Sequence, residues 1–463
     1  MPLPPEPPQS ALFQTLAWSF RPLAFMARNR ERIGDAFSVS FVGFERPMVL
    51  VSHPDAVKAL YTERRNGLPP GRASQLEPVL GHRSVLLLEG EEHLARRRLM
   101  LPPFHGERMR SYEGVVGEIV TAEIDSWQLG REFPIHARMQ AVTLEVILRA
   151  VFGVAEGPRL DRLRALLGDL MAETGSPRMM LRALVARRRG RDPFAAIRPK
   201  LAQVDEALFA EIAEHRLRPD LEERDDILSM LMTAHFEDAP SAERPSEISG
   251  DDEREGAKHE SYESMDDKEL RDQLMTLLLA GHETTATALA WTFDLLLRHP
   301  TELGRLRGSL EAGEDAYLKA TIAEALRLRP VVPLAGRRLA EDLVTDDLHL
   351  PAGTDVTASI WLTHTRPDIY PNPFAFRPER FLEAAPETYA WIPYGGGVRR
   401  CLGAAFAEFE MRIALREIIT RCELRKVDPR PERTGRRNIT FSPRAGTPVI
   451  VESRRAAREP ALT

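Results

Sequence analysis

The spacing of apolar residues divides the chain into two parts. Up to about residue 300, apolar side chains recur with a helical period, except that FSVSFVGFERPMVLVS at 37–52 has the character of strands. Residues 337–360 consist of short extended pieces separated by proline and glycine, and residues 365–397 are rich in loops. The pattern therefore predicts a mainly α-helical protein with small β-sheets.

The ends of the chain and one internal segment depart from this pattern. Residues 1–30 begin with a proline-rich stretch and are interpreted as a leader, and residues 456–463 as a tail. Residues 238–264 are charged and nearly devoid of aliphatic side chains, so they cannot bury enough apolar area to order themselves. We interpret them as a flexible surface insertion in a single large domain at 31–455. A linker between two independent domains is the alternative.

One helical pattern is unusually long and has a polar centre. It runs over residues 266–298, opens with a capping box at Ser264 and Asp267, and stops at Pro300. Its centre, AGHETT at 280–285, places a carboxylate and two hydroxyls among aliphatic residues, where they are costly without a partner or a task. A threonine hydroxyl there can also compete for a backbone carbonyl and open the helix.

The polar centre has two other interpretations, a solvated stripe on the helix and a metalloprotease motif. A glutamate on a solvated stripe, with threonines bonded back to the helix, would need no function. The HExxH pattern of metalloproteases is excluded because Ala286 stands where the second histidine must be.

A glycine-rich loop precedes the first cysteine. In YGGGVRRCLG at 394–403, three consecutive glycines let the backbone lie close against a flat object, and residues 404–421 are predicted to form a helix. The positive end of that helix, with Arg399 and Arg400, favours the thiolate form of Cys401. Cys401 is therefore a candidate metal ligand or nucleophile, although no histidine base is near it in sequence; an inert buried thiol is the alternative. The GxGxxG pattern of dinucleotide sites is not matched.

Composition narrows the chemistry further. Lys and Arg number 63 against 69 Asp and Glu, a net charge of −6 that argues against nucleic acid as a partner. The two cysteines, Cys401 and Cys422, exclude a disulfide framework, a four-thiolate zinc site and a protein-held iron–sulfur cluster, and suit a reducing cytosol. No apolar run approaches the roughly 20 residues that span a bilayer. We expect a soluble, cytoplasmic protein with no membrane span.

The cysteine loop resembles the haem-binding loop of cytochromes P450. The family pattern FxxGxRxCxG is matched by Gly397, Arg399, Cys401 and Gly403, with Tyr394 in place of the usual phenylalanine. The resemblance implies the cytochrome P450 fold, haem b (iron protoporphyrin IX) bound through the Cys401 thiolate, and O2 as co-substrate.

Further segments match the family in order and spacing between about residues 90 and 410. Glu324 and Arg327 resemble the ExxR pair, and Arg380 resembles the arginine of the PERF motif that joins this pair in a structural ion-pair network. Glu283 and Thr284 resemble the acid and the alcohol that deliver protons during oxygen activation, and are therefore implied to be the catalytic residues.

Candidates for the haem propionates come from three segments. His93 and Arg97, at i and i+4 on one predicted helix face, resemble the bacterial HxxxR pattern, and an ordinary exposed basic face is the alternative. Arg399 and Arg337 are the other candidates. Arg338 is the alternate to Arg337, because adjacent arginines leave the register open.

The resemblance also implies a function. It is that of a haem-thiolate monooxygenase, expected to be a monomer, that hydroxylates or epoxidises an apolar substrate such as a fatty acid, terpenoid or polyketide. The implied substrate contacts are apolar: Leu277, Ala280, Val331, Val332 and Leu334. Electrons from NAD(P)H would arrive through a ferredoxin and its reductase, or a flavodoxin. The implied docking surface consists of arginines: Arg96, Arg98, Arg110 and Arg400. A peroxygenase or isomerase of the same fold and a non-enzymatic haem sensor are the alternatives.

Overall fold

Helices form most of the molecule. The computed structural model describes residues 3–455 apart from 45, 70–71, 105, 107, 154–156, 175–181, 183–185, 187–188, 235–264 and 438. The α-helices of these residues are α1 (Ala11–Phe20), α2 (Pro22–Ile33), α3 (Pro54–Thr62), α4 (Arg72–Leu80), α5 (Gly90–Met100), α6 (Arg108–Ser126), α7 (Ile135–Phe152), α8 (Pro158–Thr174), α9 (Arg198–Arg216), α10 (Ile227–Thr233), α11 (Asp267–Arg298), α12 (Pro300–Glu311), α13 (Ala316–Leu328), α14 (Ile360–His364), α15 (Arg380–Glu383) and α16 (Ala404–Arg421).

The strands form small sheets, as the sequence predicts. They are β1 (Ala36–Val39), β2 (Met48–Val51), β3 (Glu132–Pro134), β4 (Leu334–Arg338), β5 (Leu343–Thr345), β6 (Leu348–Leu350), β7 (Asp355–Ser359), β8 (Cys422–Lys426), β9 (Thr434–Arg437), β10 (Thr440–Pro443) and β11 (Pro448–Arg454). The largest sheet has the order β1-β2-β7-β4, in which β2 and β7 are parallel and the other pairs antiparallel. This sheet carries Arg337 and Arg338 on β4.

Residues before and after the segment 235–264 pack into the same main core cluster. The main cluster of buried apolar side chains includes Leu231 and Met232 before the segment 235–264 and Leu270 and Leu274 after it. The linker interpretation of 238–264 is therefore not supported, because residues on both sides pack into one core. The predicted insertion itself lies outside the described residues, as does the predicted tail. None of the described helices combines the length and apolar content that a bilayer crossing requires.

The predicted leader boundary at residue 30 does not hold. Helix α2 runs through it, and its Phe25 and Met26 are buried in a cluster with β1 and β2. Even the proline-rich start follows β1, since the Ser38 amide donates to the carbonyl oxygen of Pro5 at 3.0 Å. Prolines lack an amide hydrogen but keep the carbonyl acceptor, so a proline-rich segment can still dock beside a strand.

Helix α11 crosses the centre of the molecule and packs along α7. Its N-cap is Asp266, whose carboxylate accepts from the Glu269 amide at 2.8 Å, and not Ser264, which lies outside the described residues. The helix ends at Arg298, before His299 and Pro300, as predicted. It is continuous through residues 280–285, so the local opening that the threonines suggested is not observed.

Candidate functional site: a cysteine loop facing a cluster of cations

The glycine loop wraps tightly against α3 before it reaches Cys401. Gly397 has a left-handed φ of 64°, and a Cβ atom there would lie 1.9 Å from the carbonyl oxygen of Tyr61. The loop closes on itself through the Cys401 amide, which donates to the carbonyl oxygen of Tyr394 at 2.9 Å. Helix α16 then begins at Ala404 with Gly403 as its N-cap, as the sequence predicts. Only glycine fits at 397, so the loop's path is fixed by this contact.

The Cys401 thiol is accessible at the wall of a cavity, yet protein surrounds it closely. Burial raises the pKa of the Cys401 thiol, against the lowering effect of the Gly403 amide and of Arg97 and Arg400. The sequence-based expectation of a thiolate favoured by the helix end and the arginines is thus reversed by desolvation. A thiol loses its proton when it binds a metal, so this shift does not prevent ligation.

Three arginines converge on a buried histidine near this loop. His93 on α5 is only 4% exposed, which rules out the alternative of an exposed basic face at this position. Its pKa is lowered to about 3 by burial and by the charges of Arg399, Arg97 and Arg337. The structure therefore brings together the four predicted propionate-binding residues from α5, β4 and the cysteine loop.

The neighbouring arginines of β4 face different surroundings. Arg338 pairs with Asp355 of β7 through Nε and Oδ1 at 2.9 Å. Arg337 is buried, donates to the carbonyl oxygen of Gly336 at 2.8 Å, and lies over the Tyr61 ring at 5.2 Å. Because side chains alternate along a strand, one of the two must face inward, and it is Arg337. Arg399 is also fixed by a hydrogen bond to the backbone, since it donates to the carbonyl oxygen of Leu88 at 2.5 Å.

These residues fit haem. A cysteine in a tight loop of fixed path supplies one soft ligand for iron. The converging guanidinium groups suit a ligand with two carboxylates. Within the described ranges, no three His, Cys, Asp or Glu side chains come together as a protein-ligated metal ion would require. Cys401 and the converging arginines are the donor set of a cysteine-bound prosthetic group.

A cavity of about 530 Å³ opens on the cysteine side of the loop. It is bounded by α3, α5 and the start of α16, and Cys401, Arg98 and Arg400 are among its lining residues. Arg110 of α6 is exposed, whereas Arg96 points elsewhere. Arg96 Nε lies 2.5 Å from Glu269 Oε1 of α11, and both side chains are largely buried. The prediction that Arg96 belongs to a docking surface is therefore wrong, because the helix turns it toward a buried carboxylate.

The polar centre of α11 is where the helix becomes accessible. Ala280 is exposed although the helix is buried on either side, so a space opens against it. The Thr284 hydroxyl donates to the carbonyl oxygen of Ala280 at 2.8 Å, and Thr285 donates to Gly281 at 3.0 Å. Both threonines are thus bonded back to the helix, while Thr284 remains half-buried at the accessible segment.

Glu283 points toward α7 and β9. Its Oε2 accepts a short hydrogen bond from Gln140, and its Oε1 lies 3.7 Å from Arg437 Nη1 and 3.8 Å from His136 Nε2. Burial raises the pKa of the Glu283 carboxyl, opposed chiefly by Gln140 and Arg437. The Glu283 carboxyl is therefore held in a polar pocket that disfavours its charge.

The sequence-based prediction missed the partners of Glu283. His136 and Gln140 lie at i and i+4 on α7, so two polar residues on one face of this helix were the available signal. Burial lowers the pKa of His136 to about 3, which makes it neutral at ordinary pH. Arg437 had no such signal, since it comes from β9, more than 150 residues along the chain from Glu283.

A second missed residue joins the cysteine helix to α11. Glu410 of α16 is 2% exposed and hydrogen-bonds to Thr285, the residue after Thr284. Burial raises the pKa of the Glu410 carboxyl well above its usual range. Through this contact the helix that follows Cys401 is attached to the helix that carries Glu283 and Thr284.

The structure places Glu324, Arg327 and Arg380 in one buried network. Glu324 Oε2 accepts from Arg327 Nε at 2.6 Å, and Glu324 Oε1 accepts from Arg380 Nε at 3.1 Å. Arg327 also donates to the carbonyl oxygens of His364 and Pro373. The ring of His364 in turn accepts from the Ile392 amide at 2.8 Å, so the network braces the segment that leads to Cys401.

The predicted substrate contacts separate by burial. Leu277 and Val331 pack in the main core cluster. Ala280 is exposed, and Val332 and Leu334 are half-buried, with Leu334 packed partly against the cluster that contains Phe25 and Phe37. The accessible members of the predicted set are therefore Ala280, Val332 and Leu334.

Comparison with known proteins agrees with this site. The family model described as cytochrome P450 matches residues 4–446. A Mycobacterium tuberculosis protein named cytochrome P450 135B1 is 36% identical over 98% of this chain and 92% of its own length. Another from the same organism, named cytochrome P450 137, is 36% identical over 87% of this chain and 80% of its own length.

Solved structures show the same fold. The retinoic acid-bound cyanobacterial CYP120A1 superposes with a TM-score of 0.79 at 22% identity, covering 98% of this chain and 99% of that one. The heme domain of cytochrome P450DA gives a TM-score of 0.78 at 23% identity, with 98% of both chains covered. Fold and site together thus define a haem-thiolate enzyme. The chain belongs to the cytochrome P450 family, and it is a monooxygenase that uses haem iron and O2.

Proposed function

We propose that this enzyme hydroxylates or epoxidises an apolar organic substrate of the fatty acid, terpenoid or polyketide class, with electrons supplied by a separate redox protein. The observation that carries the proposal is the pairing of a fixed cysteine loop with an accessible segment of α11 that holds an acid and an alcohol. The side chains that we assign to the substrate cavity, Ala280, Val332 and Leu334, are apolar, which suits a lipophilic substrate.

The haem would be held by the residues predicted from the sequence. Cys401 would bind the iron, and His93, Arg97, Arg337 and Arg399 would bind the propionates. Bound in this way, haem supplies the thiolate-assisted cleavage of O2. The shared position of the three arginines around His93 supports this assignment, because converging guanidinium groups that are buried or half-buried favour a dianionic ligand.

Glu283 and Thr284 would supply protons. A carboxyl whose pKa is raised by burial can hold a proton nearer to neutral pH than an exposed one, and a general acid works best when its pKa lies near the working pH. The Thr284 hydroxyl, at the accessible segment of α11, can pass a proton from its Oγ1. This acid–alcohol pair favours a monooxygenase over the peroxygenase and sensor alternatives.

Electrons would enter on the cysteine side. Arg98 and Arg400 line the cavity there, and Arg110 is exposed on α6. A small acidic ferredoxin with its NAD(P)H-dependent reductase, or a flavodoxin, complements this basic surface. The proposal includes Arg98, Arg110 and Arg400 but no longer Arg96.

The test begins with the reduced, carbon monoxide-bound absorption spectrum of the purified protein and of the C401A variant. We expect the band of thiolate-ligated haem in the native protein and its loss in C401A. The matched control is C422A, which removes the other cysteine and should keep the band. Turnover should then require O2 and a reduced ferredoxin or flavodoxin. An unchanged band in C401A, or turnover of the native enzyme with peroxide alone, would contradict the proposal.

A further inference from the structure

Helix α1 packs Ala17 and Trp18 against the cluster that contains Phe25, yet it also buries a polar side chain and exposes large apolar ones. Its buried residue is Gln14, whose amide donates to Glu6 and to the carbonyl oxygen of Gln9 and whose Oε1 accepts from the Ser40 amide. Its outward side carries large apolar groups, among them Phe13 and Phe20, which are 53% and 78% exposed. A water-facing helix normally shows the reverse arrangement.

The outward groups form one continuous face with a neighbouring turn. Residues 12, 13, 16 and 20 fall within about 100° of the helix circumference. The turn after β1 docks beside them, because the Val42 amide donates to the Thr15 hydroxyl at 2.9 Å. We define the apolar face as six exposed residues: Leu12, Phe13, Leu16, Phe20, Val42 and Phe44.

Exposed apolar groups are concentrated here. Fourteen large apolar side chains are exposed among the described residues, and six of them belong to the apolar face, within 33 consecutive positions. Single exposed apolar residues need no explanation, but a contiguous patch marks an interaction surface. Nothing in the ion-pair, haem or proton-delivery arrangements uses this face.

The hydrogen bonds of the polar groups on α1 indicate what kind of surface would cover the apolar face. The Thr15 hydroxyl donates to Ala11 and the Ser19 hydroxyl donates to Thr15, so these groups are satisfied inside the helix. A protein partner would ordinarily form about one hydrogen bond per 100–200 Å² of interface. An apolar face whose hydroxyls are already bonded suits hydrocarbon better than another protein surface.

The basic residues near the apolar face indicate that the lipid is anionic. Between Glu6 and Glu31 the sequence contains three arginines and no acidic residue, although the whole chain has a net charge of −6. Arg21, which follows Phe20, and Arg28 are exposed, as is Arg46, two residues after Phe44. Basic residues flanking an apolar helix face attract anionic headgroups.

We propose that the apolar face docks on the surface of a bilayer containing anionic phospholipid, with α1 lying in the plane of the interface. The ten residues of α1 span about 15 Å, half of the roughly 30 Å hydrocarbon core, so the helix binds without crossing. Phenylalanine and leucine enter the headgroup boundary, and Arg21 and Arg28 contact the headgroups. This contact is independent of the reaction at the haem.

The test is co-sedimentation of the haem-loaded full chain with vesicles. Phosphatidylcholine vesicles containing phosphatidylglycerol should bind the protein, and pure phosphatidylcholine should bind it several-fold less. The variant F13S/F20S should lose binding by at least about tenfold. The control L217S/F374S removes two apolar groups that are 85% and 65% exposed elsewhere and should bind like the native protein.

A second variant guards against a folding defect. R21E/R28E changes only exposed charges and should lose binding to anionic vesicles while keeping the carbon monoxide spectrum of the native protein. Native protein that does not sediment with anionic vesicles overturns the proposal, as does F13S/F20S binding at the native level. A native dimer that dissociates in F13S/F20S, without vesicle binding, would assign the face to a second copy of the chain.

Discussion

Two carboxylates, the buried Glu324 and the half-buried Glu283, have different hydrogen-bond partners in the fold. Both oxygens of Glu324 accept from guanidinium groups, and the backbone amide of Arg377 adds a further bond at 2.9 Å. One oxygen of Glu283 accepts from Gln140, while the other lies 3.7 Å from the nearest arginine nitrogen. Charge is therefore fully compensated within the fold at the first site and only partly at the second.

The difference separates a structural charge from an adjustable one. A carboxylate that accepts four hydrogen bonds, three of them from guanidinium groups, keeps one protonation state and one orientation, which suits the brace behind the cysteine loop. A carboxyl in a pocket that raises its pKa is able to gain and lose a proton. The same residue type is thus suited to two different tasks, depending on the number of its hydrogen bonds.

The largest effect should come from breaking the compensated site. In E324Q the buried Arg327 and Arg380 lose their counter-charge, and removing one partner of a buried pair costs about 3–5 kcal/mol. We expect the free energy of unfolding, measured by urea denaturation, to fall by this order. The control R430A breaks the exposed pair with Asp428 and should leave the unfolding midpoint unchanged. An E324Q variant as stable as the native protein would show that the network does not brace the fold.

Sequence predicted the compensated site better than the adjustable one. Glu324, Arg327 and Arg380 were identified through the family resemblance, by their order and spacing relative to Cys401, and the loop and α16 around Cys401 form one contiguous segment. The partners of Glu283 come from α7 and β9, and no local spacing links them. The reversed pKa of Cys401 and the buried direction of Arg96 were missed for the same reason, since both depend on how elements pack.

The start of the chain shows a different limit. Proline content suggested a leader, yet α1 and α2 fold onto the first sheet, because burial of Phe25 and Met26 outweighs the local composition. Composition reports what a segment contains and not what it packs against. The apolar face of α1 was invisible for this reason, since the sequence does not say which side of the helix faces water.

An intermediate effect on stability is expected from Gly397, where backbone geometry and not charge determines the path of the cysteine loop. In G397A the left-handed backbone alone costs about 1–2 kcal/mol, and the new Cβ would overlap the carbonyl oxygen of Tyr61, so the loop must move. We expect less haem per protein and a lower unfolding midpoint. The control is G304A in α12, where an added Cβ meets nothing within 4 Å. Equal haem content in the two variants would show that the loop tolerates displacement.

The smallest effect on stability should come from substituting Glu283 at the adjustable site. Unlike E324Q and G397A, this substitution should stabilise the protein. Because the folded pKa of Glu283 is raised, the stability it contributes is present below its unfolded pKa and lost as pH rises through the folded pKa. Glutamine cannot ionise, so the E283Q variant does not lose this stability as pH rises. It should unfold at a higher temperature than the native protein at pH 7 to 8, and the gap should close toward pH 4.

Turnover should move the other way, and this combination distinguishes proton delivery from bracing. Loss of a general acid costs about 100-fold or more, so E283Q should be slow yet stable, whereas E324Q should be unstable. The control D267N changes an exposed acid of the same helix and should affect neither quantity strongly. An E283Q variant with native turnover, or one destabilised at neutral pH, would remove the contrast between the two carboxylates and leave Glu283 as a second brace.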